Sequence, residues 1–224
     1  MPLSTASKSG LKKVKLLTDL LIDSGENVLE VGCGDGSFFD VIKKNRNLKV
    51  SSYVGMDISD EMINLATLKN VNRKNCKFLK CKFQDYQHPE GQRLFDTVIF
   101  NGVFQFFPES EFSAVLKKAS EILLPQESSS VILCHANGGS FVNEEKRLNP
   151  SLVRSAMPDI STVEQWSRDM SWSKLEYGDD LDRFYWYARK TPPPQAKQNK
   201  ALPLDCIHEL ITKPACFAHS FNQD

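Results

Sequence analysis

Two hydrophobic periodicities alternate along the chain and predict an α/β order of elements. Short apolar runs with β-branched residues are typical of buried strands, and apolar residues three or four positions apart are typical of helices. Strands are predicted at 28–31, 51–57, 77–83, 95–100 and 130–134. Helices are predicted at 11–21, from 38 onward, after a cap at Ser59, and at 112–123. Strand 77–83 alternates apolar and basic residues, which favours a half-exposed edge strand.

The first strand runs directly into a glycine-rich turn. The stretch Asn27 to Phe38 has the sequence N-V-L-E-V-G-C-G-D-G-S-F, with glycines at 32, 34 and 36. Glycine allows positive φ and lets the backbone approach a ligand closely. The helix that follows would point its free N–H groups toward the same space. The pattern therefore predicts a ligand-binding turn.

The C-terminal third has weaker signals. Residues 138–159 lack a strong period and are predicted to form a helical insertion, and Ser161 to Glu164 fits a capping box. Two strands are predicted at 172–177 and 183–190, with a turn between them. From Thr191 onward a proline-rich stretch indicates a linker, followed by a short helix at 204–211.

Composition narrows the class of protein. The chain has 224 residues with 28 basic and 28 acidic side chains, so no excess charge favours a nucleic-acid partner. No apolar run approaches the roughly 20 residues of a membrane span, and no secretory signal is evident, so we expect a cytoplasmic protein. The lysines at 8, 12, 13 and 15 leave an organelle transit peptide as an alternative.

The six cysteines are scattered, which favours reduced thiols over a disulfide framework. The pairs Cys206/His208 and Cys216/His219 do not have the spacing of a zinc finger or ribbon. No metal is therefore expected.

Glycine spacing distinguishes between nucleotide-binding families. Ser37 occupies the position of the third glycine of a dinucleotide fingerprint, and Gly36 instead completes the pattern G-x-G-x-G. Glu30 lies two residues before the first glycine of this pattern, Gly32. The motif E-V-G-C-G-D-G resembles the first motif of the class I S-adenosylmethionine-dependent methyltransferases. The resemblance covers about 11–190 and implies a doubly wound seven-stranded sheet. Such a sheet is mostly parallel, with helices on both faces and an antiparallel C-terminal hairpin strand.

The resemblance also implies a domain organisation. We expect a flexible N-terminus at 1–10, the methyltransferase domain at 11–190, and a proline-rich linker and tail at 191–224. The leading helix at 11–21 would cover the cofactor pocket or pack on the sheet, and its one apolar face is compatible with both.

Several residues match the family's cofactor-binding positions. Asp57 ends the second strand twenty-one residues after Gly36, where a carboxylate can accept hydrogen bonds from ribose hydroxyls. The resemblance implies that Glu30 organises the loop or contacts the cofactor's ammonium group, and that Asp85 contacts adenine. The full predicted set for S-adenosylmethionine is Glu30, Gly32, Cys33, Gly34, Gly36, Asp57, Ile58, Gln84, Asp85, Asn101 and Gly102.

The acceptor side follows the fourth and fifth strands. Gln105 and Phe106 lie in the segment that the resemblance places against the acceptor, although aromatic residues there are often core. His135 follows the fifth strand, at the sheet edge where ligands bind in open α/β sheets. It is the predicted catalytic base, for an acceptor that must lose a proton.

Methyl transfer to a small molecule, on oxygen or nitrogen, is the leading functional prediction. The segment Asn101-Gly102-Val103-Phe104 lacks the Asn/Asp-Pro-Pro-aromatic run of enzymes that methylate base amines. A protein side chain is the second acceptor class. A non-catalytic S-adenosylmethionine-binding regulator or partner subunit and a nicotinamide-dependent oxidoreductase remain alternatives.

Overall fold

The computed structural model describes residues 22, 25–44, 49–125, 128–135, 137–170, 172–180 and 183–189. The predicted leading helix at 11–21, the linker and tail from 191, and the cysteine–histidine pairs of the tail lie outside the described residues. Within them, no helix is both long and apolar enough to cross a membrane.

Five parallel strands form the centre of the fold, and they confirm the predicted α/β class. They are β1 Asn27–Val31, β2 Ser52–Asp57, β3 Cys76–Lys80, β4 Thr97–Asn101 and β5 Ser130–His135. Their order across the sheet is β3-β2-β1-β4-β5. β1 and β4 are buried over nearly their whole length, as expected of strands covered on both faces.

Two further strands extend the sheet beyond β5. They are β6 Ser173–Asp180 and β7 Arg183–Arg189. β7 pairs antiparallel with β5 and with β6, and Trp186 of β7 lies opposite Leu133.

Five α-helices lie between the strands in the part of the chain that the structure describes. They are α1 Ser37–Lys44, α2 Asp60–Lys69, α3 Phe112–Glu121, α4 Gly139–Leu148 and α5 Ile160–Asp169. The predicted cap of α2 is confirmed, because Ser59 Oγ accepts a hydrogen bond from Met62 N at 3.3 Å. The insertion predicted at 138–159 contains α4.

Two local predictions were wrong. β3 ends at Lys80 and not at Phe83, because Phe83 turns inward in a 3₁₀ segment and packs edge-on against Phe100 at 5.3 Å between ring centroids. The cap of α5 is Asp159 and not Ser161, since the Asp159 carboxylate accepts from Thr162 N at 2.8 Å. A carboxylate is the better cap at that position because it also interacts favourably with the helix dipole.

Phe104 lies at the centre of an aromatic cluster beside β4. Its ring is 1% exposed and lies 4.4 Å from Phe112, 5.6 Å from Phe100 and 5.9 Å from Trp166, between centroids. Edge-on and offset contacts of this kind stabilise a core beyond the burial of area alone. The cluster thus joins β4 to α3 and α5 and fixes the loop that follows β4.

The strand order reverses between β1 and β4. From β1 the chain proceeds outward to β2 and β3, and from β4 it proceeds in the opposite direction to β5. Ligands of doubly wound sheets bind in the crevice at the carboxyl ends of the strands at such a reversal. Here that crevice is bordered by Gly32 after β1 and Gly102 after β4.

Replacing Phe104 with alanine should lower the free energy of unfolding by about 3–5 kcal/mol, because it opens a cavity among rings that cannot collapse into it. Phe141→Ala is the matched control, because Phe141 is 45% exposed. It should change stability by no more than about 0.5 kcal/mol. Urea unfolding of both variants checks this, and equal losses would show that the cluster is not the main core.

Candidate functional site

The glycine turn after β1 is fastened to the end of β2. Gly32 N and Cys33 N both donate to the Met56 carbonyl, at 2.8 and 2.9 Å. Gly34 N donates to Asp57 Oδ2 at 2.9 Å. Three consecutive backbone donors therefore have fixed directions before any ligand binds.

The three glycines of the turn are needed for different reasons. All have positive φ: 74° at Gly32, 52° at Gly34 and 77° at Gly36. A Cβ on Gly32 would lie 2.5 Å from Val103 Cγ2, and one on Gly36 would lie 3.2 Å from the Ala66 Cβ. A Cβ on Gly34 would meet nothing within 4 Å. The space above Gly34 is open, so the turn fits a ligand that approaches its backbone.

Asp57 lies beside that open space. Its Oδ2 accepts from Gly34 N, and its Oδ1 accepts from Ser59 N at 2.9 Å. Each carboxylate oxygen retains further acceptor capacity, as a ribose contact requires. The next residue, Ile58, is 68% exposed, which leaves an apolar side chain uncovered next to the carboxylate.

Glu30 lies beneath the turn and is only 1% exposed. The Tyr53 hydroxyl donates to its Oε2, and Asn101 Nδ2 donates to its Oε1 at 3.4 Å. Burial raises the pKa of Glu30 to about 8. Of its two predicted roles, this position favours organisation of the loop, because the carboxyl joins β1 to β2 and β4 inside the protein.

Cys33 is a packing residue of the turn. Its side chain is 5% exposed and fits because residue 55 is glycine, where an added Cβ would lie 2.9 Å from both Cys33 Cβ and Sγ. Burial raises the pKa of the Cys33 thiol well above its usual value. The side chain therefore stays protonated, and only its backbone is near the predicted ligand.

Asn101 and Gly102 form the opposite border of the crevice. The Cys134 thiol donates to Asn101 Oδ1 at 3.6 Å, and Gly102 N donates to the Cys134 carbonyl at 2.8 Å. Gly102 has φ 64°, and a Cβ built on it would lie 3.9 Å from His135 Cδ2. The structure thus brings three predicted residues, Asn101, Gly102 and His135, to one side of the crevice.

His135 is held at the end of β5 by its own loop. Its Nδ1 accepts from Asn137 N at 3.1 Å in one tautomer, and in the other tautomer Nδ1–H can donate to the Asn137 carbonyl oxygen, 3.0 Å away. Burial lowers the pKa of His135. The ring is therefore neutral near pH 7, and when Nδ1–H donates to the Asn137 carbonyl, Nε2 has a lone pair that can accept a proton.

Gln105 and Phe106 differ in accessibility. Gln105 is 5% exposed, and its Nε2 donates to the Gly102 carbonyl at 3.0 Å. Its backbone carbonyl accepts from Arg154 N and Ser155 N, at 3.0 and 3.1 Å. Gln105 thus supports the loop after β4, whereas Phe106 is half-buried and partly accessible.

Gln84 and Asp85 are exposed in the 3₁₀ segment that follows β3. Gln84 Nε2 donates to Glu111 Oε2 at 2.9 Å, and the Gln84 carbonyl accepts from Lys118. The hydrogen bonds described for Gln84 are directed toward α3, not toward the glycine turn. The predicted adenine contact of Asp85 therefore stays a prediction.

Sequence reasoning missed Tyr53 and Cys134, which hold Glu30 and Asn101. One signal was present in the sequence: Tyr53 lies within a predicted strand, and a tyrosine buried there needs a hydrogen-bond partner for its hydroxyl. In the structure Tyr53 is 1% exposed. No group of three or more histidine, cysteine or acidic side chains within the described ranges could hold a metal ion.

Comparison with known proteins agrees with this geometry. A family model described as a methyltransferase domain matches residues 28–126, from β1 through α3. Over these residues the chain is similar to methyltransferases. The resemblance to the class I S-adenosylmethionine-dependent enzymes, predicted from the motif around Glu30, is thereby confirmed.

One similar protein is a probable cobalt-precorrin-6B C(15)-methyltransferase (decarboxylating) of Thermoplasma acidophilum. It is 29% identical over 103 residues, which are 44% of this chain and 40% of that protein. The match thus spans less than half of this chain and less than half of the relative.

Solved structures share the fold. Magnesium protoporphyrin IX methyltransferase of Synechocystis PCC 6803, with bound S-adenosylhomocysteine, matches with TM-score 0.61 at 18% identity over 82% of this chain and 84% of that one. The N-methyltransferase NodS of Bradyrhizobium japonicum WM9 matches with TM-score 0.62 at 15% identity over 84% of this chain and 98% of that one.

The raised pKa of Glu30 predicts how stability depends on pH. Its pKa lies at about 8 in the native state against 4.5 in the unfolded chain, so the native state keeps a proton that the unfolded state releases. The free energy of unfolding should therefore fall as pH rises from 6.5 to 8, by at most about 1.4 kcal/mol per pH unit. The pKa of His135 is lowered, so below pH 6.5 the unfolded state binds more protons at this group, and the free energy of unfolding rises with pH there.

Glu30→Gln should flatten the fall between pH 6.5 and 8, because the amide does not titrate. Glu90→Gln is the control, since Glu90 is an exposed carboxylate. Urea unfolding at three pH values in this window measures the slope for both variants and the parent. A slope unchanged in Glu30→Gln would mean that another group titrates.

Proposed function

We propose that the domain binds S-adenosylmethionine in the crevice between β1 and β4 and transfers its methyl group to a small-molecule acceptor. The observation that carries this proposal is the open space above Gly34 beside Asp57. A backbone at φ 52° with no atom within 4 Å of an added Cβ suits a ligand that packs directly on the turn. Relatives that are methyltransferases support the same proposal.

The residues present fit this cofactor. Asp57 would accept hydrogen bonds from the ribose hydroxyls, Ile58 would pack against the adenine, and Asn101 and Gly102 would border the methionine part. When bound, S-adenosylmethionine supplies a methyl carbon that forms a bond to the acceptor atom as the carbon–sulfur bond breaks and leaves its electron pair on sulfur. Holding the two reactants in line is worth up to about 7–11 kcal/mol, so the protein contributes mainly orientation.

His135 would accept the proton of a hydroxyl or amine acceptor. Two features support this role: its neutral ring and its position next to Gly102. Nε2 has the required lone pair in the tautomer in which Nδ1–H donates to the Asn137 carbonyl. A general base of this kind contributes about 10²–10⁴-fold to a rate.

A small molecule is the proposed acceptor because the two relatives named for their substrates act on precorrin-6B and magnesium protoporphyrin IX. A protein side chain is the second acceptor class. A non-catalytic S-adenosylmethionine-binding subunit would retain the turn, Asp57 and Asn101 and would differ only in lacking turnover.

The extent of the domain is also a proposal. We assign 11–190 to it and 191–224 to a linker and tail. The antiparallel position of β7 between β5 and β6 supports the seven-stranded arrangement that the family resemblance implies. A dinucleotide-binding half would continue with a parallel strand at that position.

Calorimetric titration with S-adenosylmethionine, S-adenosylhomocysteine and NADH in parallel tests the cofactor. We expect the first two to bind and NADH to give no heat of binding. Binding of NADH alone would replace the methyltransferase proposal with an oxidoreductase. Absence of all binding would indicate a fold that has lost its cofactor.

Gly34→Val should abolish binding of S-adenosylhomocysteine, because its side chain fills the open space above the turn. Gly91→Val is the matched control. Gly91 also has a positive φ, of 75°, and an added Cβ there also meets nothing within 4 Å. Gly91→Val introduces the same kind of backbone strain at a position far along the chain from the turn. This variant should bind S-adenosylhomocysteine with the affinity of the parent. Normal binding by Gly34→Val would show that the ligand does not contact this turn.

A further inference from the structure

An exposed aromatic side chain lies next to the proposed catalytic base, and two exposed leucines follow it along the chain. Phe141, in the first turn of α4, is 45% exposed, and its ring lies 6.2 Å from the His135 ring with an interplanar angle of 30°. Leu148, seven residues further along α4, is 56% exposed, and Leu152 after the helix is 46% exposed. We name Phe141, Leu148 and Leu152 the apolar strip.

Helix geometry places Phe141 and Leu148 on one face. Seven residues are nearly two turns, so the two side chains are about 10 Å apart along α4 and point in similar directions. Val142, the neighbour of Phe141, is 1% exposed and faces the core. The apolar strip therefore borders the buried face of α4 and extends away from His135.

The segment after α4 connects the apolar strip to the loop after β4. Arg154 N and Ser155 N donate to the Gln105 carbonyl, and Gln105 Nε2 donates to the Gly102 carbonyl. Leu152 thus precedes a segment that is fastened to the crevice. Large exposed apolar groups grouped beside a site usually mark a binding surface.

The charges on α4 largely cancel each other. Arg147 Nη2 lies 2.7 Å from Glu144 Oε1, and both side chains are exposed. An ion pair of this kind leaves little net field for a charged ligand to use. Glu145 and Lys146, also of opposite charge, are half-buried on the same helix, and an exposed cation, Arg154, lies six residues beyond its end.

We propose that the acceptor is an uncharged, flat apolar molecule that carries a hydroxyl. Its ring lies on Phe141 and along the apolar strip, and its hydroxyl points to His135. This inference rests on the proposed methyltransferase function and adds the chemical class of the acceptor. The hydroxyl proton passes to His135 Nε2, which is available when Nδ1–H donates to the Asn137 carbonyl.

The probe is 2-naphthol, titrated calorimetrically into the full chain with and without saturating S-adenosylhomocysteine. Phe141→Ser should weaken its binding by about tenfold through lost apolar contact, and Leu148→Ser by a smaller factor. Neither should alter the affinity for S-adenosylhomocysteine. Leu68→Ser, on α2, is the matched control because Leu68 is 72% exposed, and it should leave both affinities unchanged.

A second variant separates binding from proton transfer. His135→Gln should keep the affinity for 2-naphthol within about threefold. Formation of 2-methoxynaphthalene by the protein with S-adenosylmethionine should fall by about 100-fold or more. Mass spectrometry of the product measures this. Product formation that is unaffected would remove His135 from the reaction.

The outcomes separate the two proposals. If S-adenosylhomocysteine does not bind, the proposed function fails, and the titration without it still reports on the apolar strip. If it binds but Phe141→Ser does not change the affinity for 2-naphthol, the acceptor class is wrong and the cofactor proposal stands. Tighter binding of 6-hydroxy-2-naphthoate than of 2-naphthol would overturn the uncharged class and indicate a role for Arg154.

Discussion

The crevice depends on how the backbone of the glycine turn is fastened to the end of β2. Gly32 and Cys33 donate to one carbonyl, that of Met56, and Gly34 donates to the carboxylate of Asp57. Buried or half-buried N–H groups must find acceptors, and here the neighbouring strand supplies all of them. Because the same carboxylate also accepts from Ser59 N, it joins the turn to the start of α2. The ligand-binding shape is thus fixed by hydrogen bonds between consecutive β-α units.

A buried acid beneath this turn is costly, and its partners explain why it is tolerated. Desolvation disfavours the charged form of Glu30 and raises its pKa to about 8. Tyr53 and Asn101 donate to its two oxygens from the adjacent strands. An apolar residue would pack as well there, but it would not fix the Asn101 amide at the border of the crevice. A buried polar group of this kind specifies geometry more than it adds stability.

Local patterns in the sequence were sufficient for the positions of the five central strands, apart from the end of β3, and for the glycine turn and the cap of α2. Asp57 and His135 could be placed because each stands at the C-terminal end of a predicted strand, and parallel strands end at one edge. The hydrogen bonds from Tyr53 to Glu30 and from Cys134 to Asn101 could not be predicted. Periodicity gives the face of the sheet on which a side chain lies, but not its partner on the next strand. The cap at Asp159 was missed for a related reason: Ser161 matched the local motif, and the choice between two polar residues two positions apart depends on where the chain enters the helix.

The two sides of the crevice are built in different ways, and this separates their functions. On the cofactor side the ligand would meet mainly the backbone of the glycine turn and the Asp57 carboxylate, which hydrogen bonds fix to the sheet, together with Ile58 and Asn101. On the acceptor side it would meet side chains, chiefly Phe141 and His135, and Phe141 projects from a helix that is not part of the turn. A substitution on the exposed face of α4 can therefore change the acceptor without disturbing the glycine turn. On the proposed arrangement, a few exposed side chains would determine the acceptor chemistry, whereas the topology of the sheet would determine the cofactor site.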